Sequence, residues 1–153
     1  MNSATYKDTY HNIPFDTFLN IFGGIDVQLM VTELDTGKIL FANDKMNSSN
    51  GVDHDPTGKC CWEVYQVGQT KRCDFCPLDQ LKDNPDESIE WETFHEATGR
   101  WFRNRGSIIE WGAGRKVHLE QGVDITEMKQ TSGTLTRRLE QQQLMSTISQ
   151  SFI

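Results

Sequence analysis

No stretch of the 153 residues approaches the roughly 18 to 20 consecutive apolar residues that a membrane-spanning helix needs. The opening Met1-Asn-Ser-Ala-Thr-Tyr-Lys7 also lacks the apolar core of a secretory signal. Both absences point to a soluble protein with the cytoplasm as its default compartment. Basic charge is scarce as well: Lys and Arg number 15 against 22 Asp and Glu, a net charge of -7. A nucleic-acid footprint needs clustered cations to neutralise phosphates, so no nucleic-acid partner is expected. Arg100, Arg103 and Arg105 do stand close together, but they alternate along a predicted strand beside Glu90, Glu92 and Glu96. That arrangement describes a charge-paired, solvated sheet face.

A hydrophobic content of 36% supports one core with an appendage. Residues 1–12 are polar and aperiodic and read as a flexible tail. Asp16–Phe22 is a short helix candidate closed by Gly23-Gly24. Asp26–Glu33 and Ile39–Ala42 form a hairpin around the turn Leu34–Lys38. Residues 43–86 are turn-rich, with Gly51, Pro56, Gly58, Gly68, Pro77 and Pro85 interrupting short helical pieces. Three strands follow, Ser88–Ala97, Arg100–Trp111 and Arg115–Ile125, the last two joined by Gly112-Ala113-Gly114.

The last of these strands carries the clearest alternation. Val117, Leu119, Val123 and Ile125 share one parity and are expected on the buried face. Gln121 is the polar residue among them, and a buried amide must either bond to neighbouring backbone or read a ligand. His118 shares parity with Lys116 and Glu120 and is expected to be exposed. His54 lies in a polar loop, and His95, in phase with Trp91, is expected to be packed and hydrogen-bonded. After Asp124-Ile125-Thr126 the strand pattern gives way to a helix. The Asp124 carboxylate can stabilise its entrance and the Thr126 hydroxyl can cap it.

Residues 127–153 read as a helical linker in which Met128, Leu135, Leu139, Met145, Ile148 and Phe152 form a narrow stripe. Such a stripe has little core of its own, so pairing with a second copy is the natural way to bury it. The alternative is packing back on the same sheet. The pattern stops inside a helix at Ser151-Phe152-Ile153, which predicts a longer protein.

The element order strand, strand, short helices, strand, strand, strand over about residues 13–127 resembles that of PAS sensor domains. So do the hairpin ending in Ala42-Asn43-Asp44 and the exit Asp124-Ile125-Thr126. The resemblance implies an α+β fold: a five-stranded antiparallel sheet with short helices on one face and a C-terminal signalling helix. It divides the chain into the tail 1–12, a sensor domain 13–126 and the linker 127–153, with a pocket between sheet and helices. Trp62, Phe75 and Gln121 are the candidate pocket residues; Trp91, Phe94, Trp101 and Trp111 serve either the pocket or core and sheet packing. Flavin-binding light sensors of this class carry a Gly-x-Asn-Cys-Arg-Phe-Leu-Gln stretch that is missing here. The helix Leu78–Asn84, where a haem ligand often stands, has no His. Both facts argue against flavin and haem.

Four cysteines fall within a short span: Cys60-Cys61 and Cys73-Asp-Phe-Cys76. The phrases Gly58–Val64 and Cys73–Leu78 resemble a recurring variety of PAS domain in bacterial signalling proteins. Three functional readings compete with plain buried thiols. Zinc would suit the two-residue gap of Cys73 and Cys76, but the adjacent Cys60 and Cys61 diverge, so one must yield to His54 or another ligand. An iron-sulfur cluster is implied by a resemblance to oxygen-sensing kinases with two C-x2-C pairs separated by eleven residues. Cys61, Cys73 and Cys76 match those spacings, and the first pair departs from the pattern. A thiol switch is the third reading, with Cys76 at a helix N-terminus expected to have a lowered pKa.

The combined reading is a sensory and dimerisation module. A small-molecule ligand or redox state would be passed through the C-terminal helix, with Asp124 and Thr126 as the joint, to an output domain of the same chain. The resemblance implies a sensor histidine kinase or a cyclic-dinucleotide enzyme for the full protein. No such catalytic centre is visible, because residues 119–153 hold no His and no phosphate-cradling Gly-rich loop occurs. The rivals are a small thiol oxidoreductase using Cys73 and Cys76 and a ligand-free interaction module.

Overall fold

The computed structural model describes residues 14–66 and 68–150; the tail 1–12 and Phe152 of the helical stripe lie outside them. Its elements are α1 (Phe15–Gly24), β1 (Gln28–Glu33), β2 (Ile39–Ala42), α2 (Asp44–Ser49), α3 (Cys61–Tyr65) and α4 (Leu78–Asp83). They continue with β3 (Ser88–His95), β4 (Arg100–Glu110), β5 (Lys116–Asp124) and α5 (Thr126–Gln150). The strands form one antiparallel sheet in the order β2-β1-β5-β4-β3. The α+β architecture expected from the element order is the one observed.

β5 is the central strand. It pairs with β1 from Gln28↔Gly122 to Glu33↔Val117 and with β4 from Phe102↔Asp124 to Glu110↔Lys116. Because side chains alternate across a strand, this register assigns each residue to a face. One face carries Met30, Thr32, Gly106, His118, Glu120 and Gly122, and α2, α3 and α4 with their connecting loops cover it. The other carries Leu29, Val31, Val117, Leu119, Gln121 and Val123. α1 lies on this far side, where the Phe22 ring meets that of Phe41, the residue across from Val31.

The face assignment corrects the sequence reading of β5. Val117 and Ile125 are buried as expected, but Val123 is 45% exposed and His118 only 3% exposed. Alternation shows that the two faces differ; it does not say which one the helices cover.

Local chemistry explains the joints. Asn43 ends β2 and caps α2, its Oδ1 accepting from the Met46 N–H at 2.9 Å and from the Leu29 N–H at 3.0 Å. Its Nδ2 donates to the Val27 carbonyl at 2.9 Å, so one buried amide ties strand, helix and preceding loop together. Met30, Ile39, Met46 and Tyr65 pack into the core beside this cap. Gly37 has φ +66°, and a Cβ there would stand 2.4 Å from the Trp62 ring, so the hairpin turn needs glycine for conformation and for space.

Candidate functional site

Between the covered sheet face and the segment 60–78 lies a cavity of about 60 Å³, room for a few waters or a very small ligand. β1 supplies Met30 and Thr32, and β5 supplies His118 and Glu120. α3 presents Cys61, Trp62 and Tyr65, while the loop before α4 brings Arg72, Cys73, Phe75 and Cys76. Arg72 holds that loop down: its Nη2 donates to the Leu34 and Asp35 carbonyls at 3.1 and 3.0 Å, and its guanidinium lies 6.0 Å from the Trp62 ring centroid.

Three of the four cysteines thus share one cavity. Cys60 does not line it; its sulfur stands 3.7 Å from the Thr36 carbonyl, as expected for the divergence of neighbouring side chains. Burial pushes the Cys61 thiol up to about 12, with Glu120, Cys73 and Cys76 adding to the shift. Burial likewise takes Cys73 to about 11, with Cys76 and Glu120 next in weight. Cys76 is also raised by burial, although the Leu78 backbone N–H and Arg72 oppose the change. This corrects the expectation of a lowered Cys76 pKa, because α4 is less than two turns long and desolvation outweighs its N-terminus. Thiols so raised are protonated at neutral pH and poor nucleophiles, which disfavours an oxidoreductase built on Cys73 and Cys76.

Residues that line the same region carry polar groups without partners. His118 Nδ1 lies 3.4 Å from Thr32 Oγ1, but its Nε2 has no hydrogen-bond partner, nor do the buried indole nitrogens of Trp62 and Trp91. Burial, with Arg72 second, brings the His118 pKa down to about 4. The Glu120 carboxyl is raised to about 7 by burial. No three His, Cys, Asp or Glu side chains among the described residues stand around a common point in a way that would hold a metal ion.

The other candidate residues divide cleanly. Trp62 lines the cavity and Phe75, half exposed, borders it. Gln121 does not reach it: opposite Leu29 and Arg105, it belongs to the far face. Phe94 and Trp101 pack on each other there, ring centroids 5.4 Å apart, and Trp111 is exposed. Of the three arginines expected on a charge-paired face, Arg103 bonds Glu92 at 3.0 Å, Arg100 pairs with Asp124, and Arg105 stands across from Glu90 in the strand register. His95 bonds the Tyr65 carbonyl and Thr98, and His54 stays in its exposed loop beside Asp53.

At the end of β5 the work is shared differently from expectation. Asp124 Oδ1 accepts the Thr126 N–H at 2.9 Å, and Arg100 pairs with the same carboxylate at 3.2 Å. The Thr126 hydroxyl instead accepts the Trp101 N–H at 2.9 Å, tying the start of α5 to β4. Desolvation works to raise the Asp124 carboxyl, but the bonds from Thr126 and the Arg100 charge hold it below its ordinary value. Lys129 on the first turns of α5 lies 5.0 Å from the Trp101 ring centroid and pairs with Glu92 at 2.5 Å.

No family model and no curated protein matches the sequence. Solved structures match it in three dimensions. The PAS domain of nitrogen regulation protein NR(II) from Vibrio parahaemolyticus aligns with 74% of this chain over 100% of its own length, at TM-score 0.57 and 13% identity. The fold is that of a PAS domain. The PAS domain of Bordetella pertussis BvgS gives TM-score 0.52 and 16% identity, with 82% of this chain and 96% of that one covered. An RNA-binding Light-Oxygen-Voltage Receptor gives TM-score 0.58 and 17% identity over 86% of this chain, which spans 40% of that longer protein. In this PAS fold the cavity occupies the space between sheet and short helices, and α5 leaves from the central strand. No helix among the described residues is long and apolar enough to cross a membrane.

Proposed function

We propose that this PAS domain is a non-catalytic sensory module that passes the state of its cavity through α5 to an output domain of a cytoplasmic signalling protein. One observation carries the reading: β5 is both a wall of the cavity, through His118 and Glu120, and the strand from which α5 emerges. A change around those side chains is therefore four to eight residues along one strand from the Asp124–Thr126–Trp101 joint. The joint bonds are individually small, on the order of 0.5–2 kcal/mol, comparable with the 1–3 kcal/mol that separates two coupled states. The same reading has α5 pair with a second copy, since Met128, Leu135, Leu139 and Met145 are all exposed on one protomer.

The test is hydrogen exchange on α5. Glu120→Leu should change the protection of residues 126–140, and adding Asp124→Ala with Thr126→Ala should remove that response while the domain stays folded. Unchanged exchange in α5 after the Glu120 substitution would refute transmission through β5. For the pairing, truncation after Glu127 should shift the protein toward monomer in sedimentation; an unaltered dimer would move the interface to the sheet.

A further inference from the structure

We propose that the cavity binds one thiophilic divalent ion of the zinc type through Cys61, Cys73, Cys76 and His118 Nε2, with Cys60 taking no part. The inference rests on the reading of this cavity as the sensing site and names the chemistry it would sense. The donor set is the first reason: three sulfurs and one imidazole lining one cavity suit a tetrahedral zinc site. His118 is the second. It is 3% exposed, its Nδ1 faces the Thr32 hydroxyl, and its Nε2 is unpartnered. A ligating imidazole has this form, one nitrogen oriented by an outer group and the other left for the ion.

Gly106 makes room for that ring. A Cβ at position 106 would stand 2.9 Å from His118 Nε2 and 3.1 Å from Cγ of Pro77, so the imidazole edge passes over bare backbone beside the residue that follows Cys76. As these side chains stand, no three of the four donors converge on one point. Each thiol turns on one χ1 torsion between staggered positions, and the ion supplies the common point. Binding replaces three S–H protons by three sulfur–metal bonds and releases those protons to solvent. Arg72, beside Cys76 on the cavity wall, offsets the negative charge of the resulting centre.

The test is anaerobic titration of the reduced 153-residue chain with Co²⁺ as the spectroscopic probe. One equivalent should bind, with thiolate charge-transfer absorption and tetrahedral d–d bands that Zn²⁺ then displaces. Cys60→Ser should leave affinity unchanged. Cys61→Ser, Cys73→Ser and Cys76→Ser should each weaken it by more than the ~10–100-fold that loss of an outer-shell partner costs, and Thr32→Val by about 10-fold. X-ray absorption on the zinc-loaded native chain should show three sulfurs and one nitrogen, a readout that needs no variant to fold. The site is overturned by absence of stoichiometric binding, by two sulfurs or fewer at the metal, or by equal damage from Cys60→Ser and Cys73→Ser. Iron with sulfide in the anaerobically purified protein would overturn it too. None of these outcomes bears on the exchange response of α5, which stands or falls separately.

Discussion

The two faces of the sheet obey opposite rules. On the face under the helices, Thr32, Asn104 and His118 are each less than a tenth exposed although all are polar. On the other, Phe94 and Val123 are nearly half exposed although both are apolar. The covered face keeps hydrogen-bonding groups that ordinary core packing would reject, Thr32 and His118 on the cavity wall and Asn104 bonded to the Thr93 hydroxyl. The far face is partly sheltered by α1 and otherwise wet. At these positions burial and polarity, which usually run in opposite directions, run together, while Leu29, Val31 and Val117 on the far face and Met30 and Phe102 on the covered one keep the ordinary apolar burial.

The sharpest way to break this comparison is to remove a buried polar group. Asn43→Ala deletes the α2 cap and leaves the Leu29 N–H without its acceptor. The expected loss is about 2–4 kcal/mol in urea denaturation; a loss below ~1 kcal/mol would show that water replaces the amide.

Next in size is overpacking on the covered face. Gly106→Ala puts a methyl against His118, Trp91 and Pro77 and should cost about 1–3 kcal/mol. A neutral result would mean that His118 moves aside freely.

Glu120→Gln sharpens the comparison through pH. The Glu120 carboxyl is raised from 4.5 to about 7, so the folded chain keeps a proton that the unfolded chain has released. Its contribution is complete below pH 4.5 and is lost as pH rises through about 7. His118, lowered from 6.5 to about 4, works the other way: its contribution is present above pH 6.5 and lost as pH falls toward 4. The two offset each other at intermediate pH, and above 6.5 the Glu120 loss acts alone. Glu120→Gln should abolish that alkaline decline, an effect on the order of 1–3 kcal/mol between pH 5 and pH 8. Parallel stability profiles for the variant and the native chain would mean that the carboxyl reaches solvent.

The smallest effect should come from the far face, where Val123→Ala is expected to change stability by no more than about 0.5 kcal/mol. A loss of 2 kcal/mol or more would reveal a hidden cover on that surface.

Much of this was readable from the sequence. The hairpin, the Asn43 boundary, the alternating glutamates and arginines and the abrupt end of β5 are written in local chemistry: turn residues, capping groups and period-two patterning. The facing of β5 was not. Valine and leucine at 117, 119 and 123 point to a core, and Val117 is indeed fully buried, but Val123 is exposed and the helices lie over His118 and Glu120. Nothing local distinguishes a strand covered by an apolar helix from one that walls a cavity. For the same reason the pattern puts His118 in solvent and Gln121 in the pocket, although the polar residues sharing the parity of His118 are a signal that favours the reverse. That Cys60 and Cys61 point apart was predictable; which of them faces inward depended on how Lys38 bridges to Cys60 and on the Gly37 carbonyl that accepts the Cys61 N–H.

Arg72 also bears on how fast a small molecule or ion could enter or leave the cavity. Its guanidinium fastens the loop before α4 to two carbonyls of the hairpin turn, so opening the cavity from that side means breaking both bonds at once. Hydrogen bonds to a charged group are worth about 1.5–3 kcal/mol each, which makes the open form a minor population. Association would then be timed by the latch and not by diffusion, and an occupant once inside would leave slowly. On the reading of this cavity as a sensing site, a module built this way would register what its surroundings held over many openings and pass over brief fluctuations.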